Sequence, residues 1–182
     1  MFDKERFIED CMQALSGGQR AVRDVVKRAV SQPSGIINTL GEPVHAGITP
    51  LYRSSDLTIL NFAWAPCMNL MPHNHNMFAV IGIYTGREDN IIWRKTPDRI
   101  EATSAQSLGV GDVATLGQDA IHSVLNPLTK MTCAIHVYGG DFFAPDEPRS
   151  EWDSETLIQS PWDGAKVQQL FEDAEARFQQ HP

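Results

Sequence analysis

From Ile36 to Tyr138 the chain is a succession of short runs rich in Val, Ile, Thr and aromatic residues, cut by Gly, Pro, Asn and Asp. Short apolar runs with turn signals at this spacing predict an all-β sandwich or barrel. The expected strands are Ala46–Tyr52, Leu57–Ala65, Phe78–Tyr84, Ile91–Arg94, Ile100–Thr103, Asp112–Leu116, Ser123–Leu125 and Thr132–Tyr138. Helical patterns flank them. Phe7, Ile8, Cys11, Met12 and Leu15 recur at helical spacing, and Val22, Val25, Val26, Ala29 and Val30 do so again beyond Gly17-Gly18. Near the other end Ser160-Pro161 reads as a helix start, followed by the stripe Val167, Leu170, Phe171, Ala174 and Phe178. The expectation is one domain: helices over 1–35, a β-barrel over 36–140, and a connection with a closing helix over 141–182.

Charge narrows the partners. The 182 residues carry a net charge of −8, which disfavours a nucleic-acid or anionic-membrane surface. No apolar run approaches the roughly 18 residues of a membrane span. The start, Met1-Phe2-Asp3-Lys4-Glu5-Arg6, is too charged for a signal peptide. Cys11, Cys67 and Cys133 are odd in number and far apart, as expected of reduced thiols in a cytoplasmic protein.

Pro72-His73-Asn74-His75 is the densest group of metal-competent side chains. In a strand, residues two apart point to one face, so both imidazoles would project together. Neutral imidazole is the commonest protein metal ligand. One metal needs a further ligand, for which His122 is the candidate. The alternative is a polar turn marked by Pro72 and its neighbouring asparagines.

Taken with their spacing, these residues resemble the cupin family of small double-stranded β-helix barrels. The first cupin motif is glycine, five residues, His-x-His, three or four residues, glutamate, six residues, glycine. His73, His75 and Gly86 fit it; Cys67 stands at the leading glycine and Ala79 or Val80 at the glutamate. The second motif is glycine, five residues, Pro-x-Gly, two residues, His, three residues, Asn. Gly111, His122 and Asn126 fit, while Gly117 and Asp119 replace the proline and glycine. The resemblance covers roughly residues 36 to 140. It implies a jelly-roll-like barrel with His73, His75 and His122 as ligands and no carboxylate.

A three-histidine cupin without the glutamate resembles the thiol dioxygenases, such as cysteine and mercaptopropionate dioxygenase. These use Fe(II) to add both atoms of O2 to a thiolate, giving a sulfinate. The family's Ser-x-His-x-Tyr pattern corresponds to Ala134-Ile135-His136-Val137-Tyr138, with alanine in place of serine. The resemblance assigns His136 and Tyr138 to the site; otherwise they read as a structural hydrogen-bonded pair. Arg53 stands near the family's carboxylate-binding arginine, with Arg94 as a weaker alternative and a solvated strand-end arginine as the other reading. The family's Cys–Tyr crosslink cannot form at its usual place, because Ala79 or Val80 occupies the cysteine position. Cys67 lies six residues before His73 and is the remaining thiol near the motif. His45 and His181 read as incidental.

The functional expectation is an Fe(II)-dependent dioxygenase whose partners are O2 and a small thiol, with no nucleic acid and no membrane. An exposed sheet edge is where a homodimer would pair. Two alternatives stand beside it. One is a metal-binding cupin without oxygenase activity, with zinc or nickel bound. The other is a three-histidine dioxygenase that cleaves a diketone. Phe62, Trp64, Met77, Phe78, Ile121 and Tyr138 are candidate pocket residues.

Overall fold

The computed structural model describes residues 2–180. Strands β1 (Gly47–Arg53), β2 (Thr58–Trp64), β3 (Asn69–Asn74), β4 (Ala79–Thr85), β5 (Arg87–Lys95) and β6 (Ile100–Gly109) are followed by β7 (Val113–Leu116), β8 (Ile121–Leu125) and β9 (Thr132–Tyr138). Two short strands come last, β10 (Ser150–Trp152) and β11 (Gln159–Pro161). They form two antiparallel sheets, in the order β1-β2-β9-β4-β7 and β11-β10-β3-β8-β5-β6. The inner eight strands, β2-β9-β4-β7 and β3-β8-β5-β6, have the order of a jelly roll, so the barrel read from the sequence is the fold.

Alternation decides what each face carries. Strand β9 is buried at every position because it is central and covered on both sides. Its Ala134 and Tyr138 join the barrel interior, while Cys133, Ile135 and Val137 face the N-terminal helices. Helices α1 (Lys4–Ala14), α2 (Gly18–Val30) and α3 (Pro33–Leu40) contribute Phe7, Cys11, Val22, Val25, Val26, Val30 and Ile36 to that outer layer. Strand β4 meets α2 at Gly82, where a Cβ would fall 2.5 Å from Val26 Cγ1, so only glycine permits the contact. Helix α4 (Gly164–Gln180) packs Val167, Phe171 and Ala174 against the barrel interior near Phe62 and Trp64. Among the described residues no helix is long and apolar enough to cross a membrane.

The structure departs from the sequence reading at several elements: β5 and β6 are longer than expected, and β10 and β11 form in the expected connection. A third N-terminal helix, α3, begins on Pro33 in its first turn, where the missing N–H costs nothing, and stops at Gly41 with φ of +90°. Strand β3 is missing from the strands expected above, although the histidine pair was read as extended; the polar turn marked by Pro72 and the asparagines, given as the alternative, is not what forms. The register to β8 shifts between Leu70 and His73, so Pro72 sits at an irregularity where its missing donor is tolerated. Finally, Ser160-Pro161 ends the edge strand β11 and does not start a helix. Asp163 begins α4 instead, its Oδ1 accepting from the N–H groups of Ala165 and Lys166 at 3.0 and 3.1 Å.

Two of the three matched motif residues outside the histidines, Gly86 and Asn126, serve the fold. Gly86 turns β4 into β5 with φ of +70°, and a Cβ there would lie 2.2 Å from Thr132 Oγ1. Asn126 is fully buried. Its Nδ2 donates to the carbonyls of Trp64, Ala65 and Lys130 at 3.2, 2.9 and 2.9 Å, and its Oδ1 accepts from Leu128 N–H and the Thr132 hydroxyl. Asn126→Ala would strand several buried polar groups at about 1–3 kcal/mol each before relaxation. The expected loss is about 3 kcal/mol, read as a lower urea midpoint; an unchanged midpoint would show that the loop does not depend on this side chain.

Candidate metal centre

His73 lies on β3 directly opposite His122 on β8, and His75 follows one residue past the end of β3. The strand pairing, not the local sequence, closes the cluster. The ring centroids are 4.5 Å apart for His73 and His122 and 5.0 Å for His75 to either. One nitrogen from each of the three lies within 4.8 Å of the others. All three side chains are buried.

Hydrogen bonds select the nitrogen that two of the rings, His73 and His122, offer. His73 Nδ1–H donates to the Met71 carbonyl at 2.9 Å, which leaves Nε2 as a lone-pair donor. His122 Nδ1 lies 2.7 Å from Asn90 Oδ1. The Asn90 amide is oriented by its Nδ2, which donates to Glu88 Oε1 at 2.9 Å, so its oxygen accepts from His122. His122 Nε2 is then buried with no protein partner. An orphaned buried nitrogen beside two other imidazoles is what a metal ligand looks like without its metal. Three nitrogen donors, with no fourth ligand group beside them among the described residues, fit an open divalent first-row site rather than a closed four-ligand one.

Burial keeps the donors neutral. Desolvation pushes His73 down to about 4, helped by the nearby positive charge of Arg149, and pushes His75 and His122 well below the usual imidazole value, helped by the other rings. Each folded value lies below the unfolded one, so metal-free stability is full above about pH 6.5 and is lost as pH falls through the folded values. His73 alone would remove about 2 kcal/mol between pH 6.5 and pH 5. Urea midpoints of metal-free protein should therefore drop over that range, and drop less in His73→Ala. Identical pH profiles for the two proteins would contradict this account.

On β9, alternation points His136 and Tyr138 to the same side. His136 Nδ1 lies 3.0 Å from the Tyr138 hydroxyl, and the Tyr138 ring is 5.0 Å from His75. Burial raises the phenol well above its usual range, so it stays a neutral hydroxyl. Both residues line a small inner cavity of about 20 Å³ with the three histidines, Phe62 and Trp64. Of the other pocket candidates, Ile121 packs with Ile100 and Trp152, Phe78 packs on the helix side, and Met77 sits in the core without lining this cavity.

Arg53 lies elsewhere. Its guanidinium makes two hydrogen bonds of 2.8 Å to Asp141, sits over Phe143, and is half-exposed. A carboxylate of the protein already occupies the fork that a substrate would need. Arg94 is exposed beside Glu101. Cys67 is exposed, with its sulfur 3.7 Å from the Leu128 carbonyl, and does not line the cavity. His45 is exposed and pairs with Glu175; His181 lies outside the described residues.

The arginine at the centre is Arg149, which sequence reasoning missed. It is 9% exposed and sandwiched between the rings of Phe142 and Trp162, at 4.2 and 4.5 Å from their centroids. Its Nη1 is buried without a partner. Burial lowers its pKa to about 10, so it remains charged at neutral pH. It lines an outer cavity of about 670 Å³ that shares Ile48, Phe142, Trp162 and Val167 with the histidine cavity. Glu88 was missed too. It is completely buried and accepts from Trp64 Nε1–H at 2.8 Å. The only sequence signal was the alternation Glu88-x-Asn90, inside a segment that reads as a charged turn.

No protein-family model and no curated relative matches the sequence. Solved structures with a similar fold include an RmlC-like cupin with a double-stranded β-helix from Methanocaldococcus jannaschii, at a TM-score of 0.47 and 10% identity over 56% of this chain and 86% of that one. A conserved protein with a double-stranded β-helix domain from Klebsiella pneumoniae gives 0.48 and 11% over 63% and 87%. Oxalate decarboxylase from Bacillus subtilis gives 0.44 and 17% over 54% of this chain and 24% of that one. Likeness this distant carries nothing about activity.

Proposed function

We propose that this protein is an Fe(II)-dependent dioxygenase that converts a small carboxylate-bearing thiol into a sulfinate. The observation that carries the reading is the convergence of three buried neutral histidines, a buried phenol and an unpartnered guanidinium on two cavities with a common wall. His73, His75 and His122 would hold the metal. Fe(II) bound there supplies the one-electron chemistry that lets ground-state O2 react with a thiolate. With three neutral ligands the site keeps its full positive charge, which favours an anionic sulfur. The overall reaction balances without a reductant: R–S⁻ plus O2 gives R–SO2⁻, with sulfur oxidised by four electrons.

The chain's own groups bind and orient the substrate. The inner cavity has room for little more than one water-sized group, so the body of the substrate lies in the outer cavity. There Arg149 Nη1 donates to the carboxylate, with Phe142 and Trp162 shielding the pair from water. Tyr138 presents its phenol oxygen to the inner cavity, and His136 fixes the direction of that hydroxyl.

The test is O2 uptake by iron-loaded protein across a panel of thiol acids and diketones, against zinc- and nickel-loaded controls. Iron-dependent uptake with cysteine or mercaptopropionate is the expected result. Uptake with a diketone alone would move the activity to carbon–carbon cleavage. No uptake on either class, with metal bound, would leave a metal-binding cupin without oxygenase activity.

A further inference from the structure

Glu88 is a buried carboxylate with an unusual set of neighbours. It lies on β5 with Asn90 and Ile92 two and four residues on, all on one face of the strand, and Ile92 is paired with His122 across the sheet. Oε1 accepts from Asn90 Nδ2–H at 2.9 Å and Oε2 from Trp64 Nε1–H at 2.8 Å. Oε2 is also 3.6 Å from His136 Nε2, which has no closer polar partner. Glu88 is not itself one of the clustered ligand groups. It stands behind them and reaches two separate parts of the site.

We infer that Glu88 is the positioning residue that sets the proton arrangement of both the ligand His122 and the His136–Tyr138 pair. A carboxylate only accepts hydrogen bonds, so it dictates polarity outward along each branch. Along the first branch Glu88 takes the Asn90 N–H, Asn90 must turn its oxygen to His122, and His122 must carry its proton on Nδ1. Its Nε2 lone pair is thereby aimed at the ligand cluster before any metal arrives. Along the second branch Glu88 favours the proton of His136 on Nε2. Nδ1 then accepts from the Tyr138 hydroxyl, and the phenol oxygen faces the cavity as an acceptor. A phenol whose proton is given to His136 has none left to donate to bound oxygen or substrate. Ala134 stands where the related pattern has a serine, and Glu88 supplies from another strand a polar neighbour for His136 that alanine cannot.

Glu88→Gln keeps the size but replaces one acceptor by a donor. The new N–H2 must face either Asn90 or the Trp64–His136 side. In the first case Asn90 flips and presents its N–H2 to His122, moving the His122 proton to Nε2, where it blocks metal. In the second, His136 is driven to the Nδ1–H form. The inference rests on His122 being a ligand, so the experiment reads the protons without metal as well as zinc affinity.

Long-range ¹H–¹⁵N correlation spectra of histidine side chains in metal-free protein report each tautomer. The expected wild-type result is Nδ1–H at His122 and Nε2–H at His136. Glu88→Gln is expected to invert at least one of them, and inversion at His122 is expected to weaken zinc about 10- to 100-fold. Unchanged tautomers in a folded Glu88→Gln variant, with wild-type zinc affinity, would overturn the inference. If that variant does not fold, the wild-type spectrum decides alone: the opposite tautomer at either histidine overturns it. Wild-type protein that takes up no zinc would overturn the metal-site reading instead, a distinguishable outcome.

Discussion

His122→Ala is expected to leave a folded protein that no longer holds metal at this centre. His122 contributes one of three nitrogen ligands, and its Nε2 makes no other bond. Structural zinc sites bind with about 10–16 kcal/mol over four ligands, or about 2.5–4 kcal/mol each, so one lost ligand weakens binding by about 10²- to 10³-fold. Asn90 would lose its partner, but Glu88 still holds its other end, so the expected penalty to folding is smaller than the penalty to metal. Competition against a chromophoric chelator measures the affinity, and circular dichroism checks the fold. Stoichiometric metal at wild-type affinity in the variant would mean that another set of residues holds it.

Arg149→Met is expected to cost activity while sparing stability. The guanidinium is stacked between two rings and has a buried nitrogen with no acceptor, so in the free protein the rings offset only part of its desolvation. A methionine of similar length keeps the packing and removes that penalty, so the urea midpoint should hold or rise. Toward a carboxylate-bearing thiol, loss of a buried charge partner costs about 2–5 kcal/mol, which is about 30- to 5,000-fold in kcat/KM. Toward a thiol amine without a carboxylate, the same variant should lose little. Equal losses on both substrates would show that Arg149 shapes the cavity without gripping the acid.

What was legible in the sequence is what alternation and spacing encode. Most strands of the barrel were readable because they are short apolar runs between turn residues, and the three histidines because their spacing fits two motifs; β3 and the polar ends of β5 and β6 were not. The helical stripe of valines on α2 was equally plain. The residues that complete the site were not, because they reach it through space from other strands. Glu88 looks like one more charge in Arg87-Glu88-Asp89; only a strand beginning at Arg87, and not at Ile91, turns Glu88 and Asn90 inward while Arg87 stays out. Arg149 sits in a proline- and acid-rich connection whose three-residue strand has no periodicity to read. Arg53 looked better placed by chain position, yet Asp141, eighty-eight residues later, claims its guanidinium. Pairing partners at that separation leave no trace in local pattern.

The proposed reaction would place both atoms of one O2 molecule on a thiol at a site where His73, His75 and His122 would hold iron. Its most direct test loads metal-free protein with one equivalent of Fe(II) under nitrogen, adds a mercapto acid and ¹⁸O2, and weighs the product by mass spectrometry. The expected product is a sulfinate carrying two ¹⁸O atoms, formed only with iron present. A disulfide, a singly labelled product, or a yield independent of iron would contradict the account.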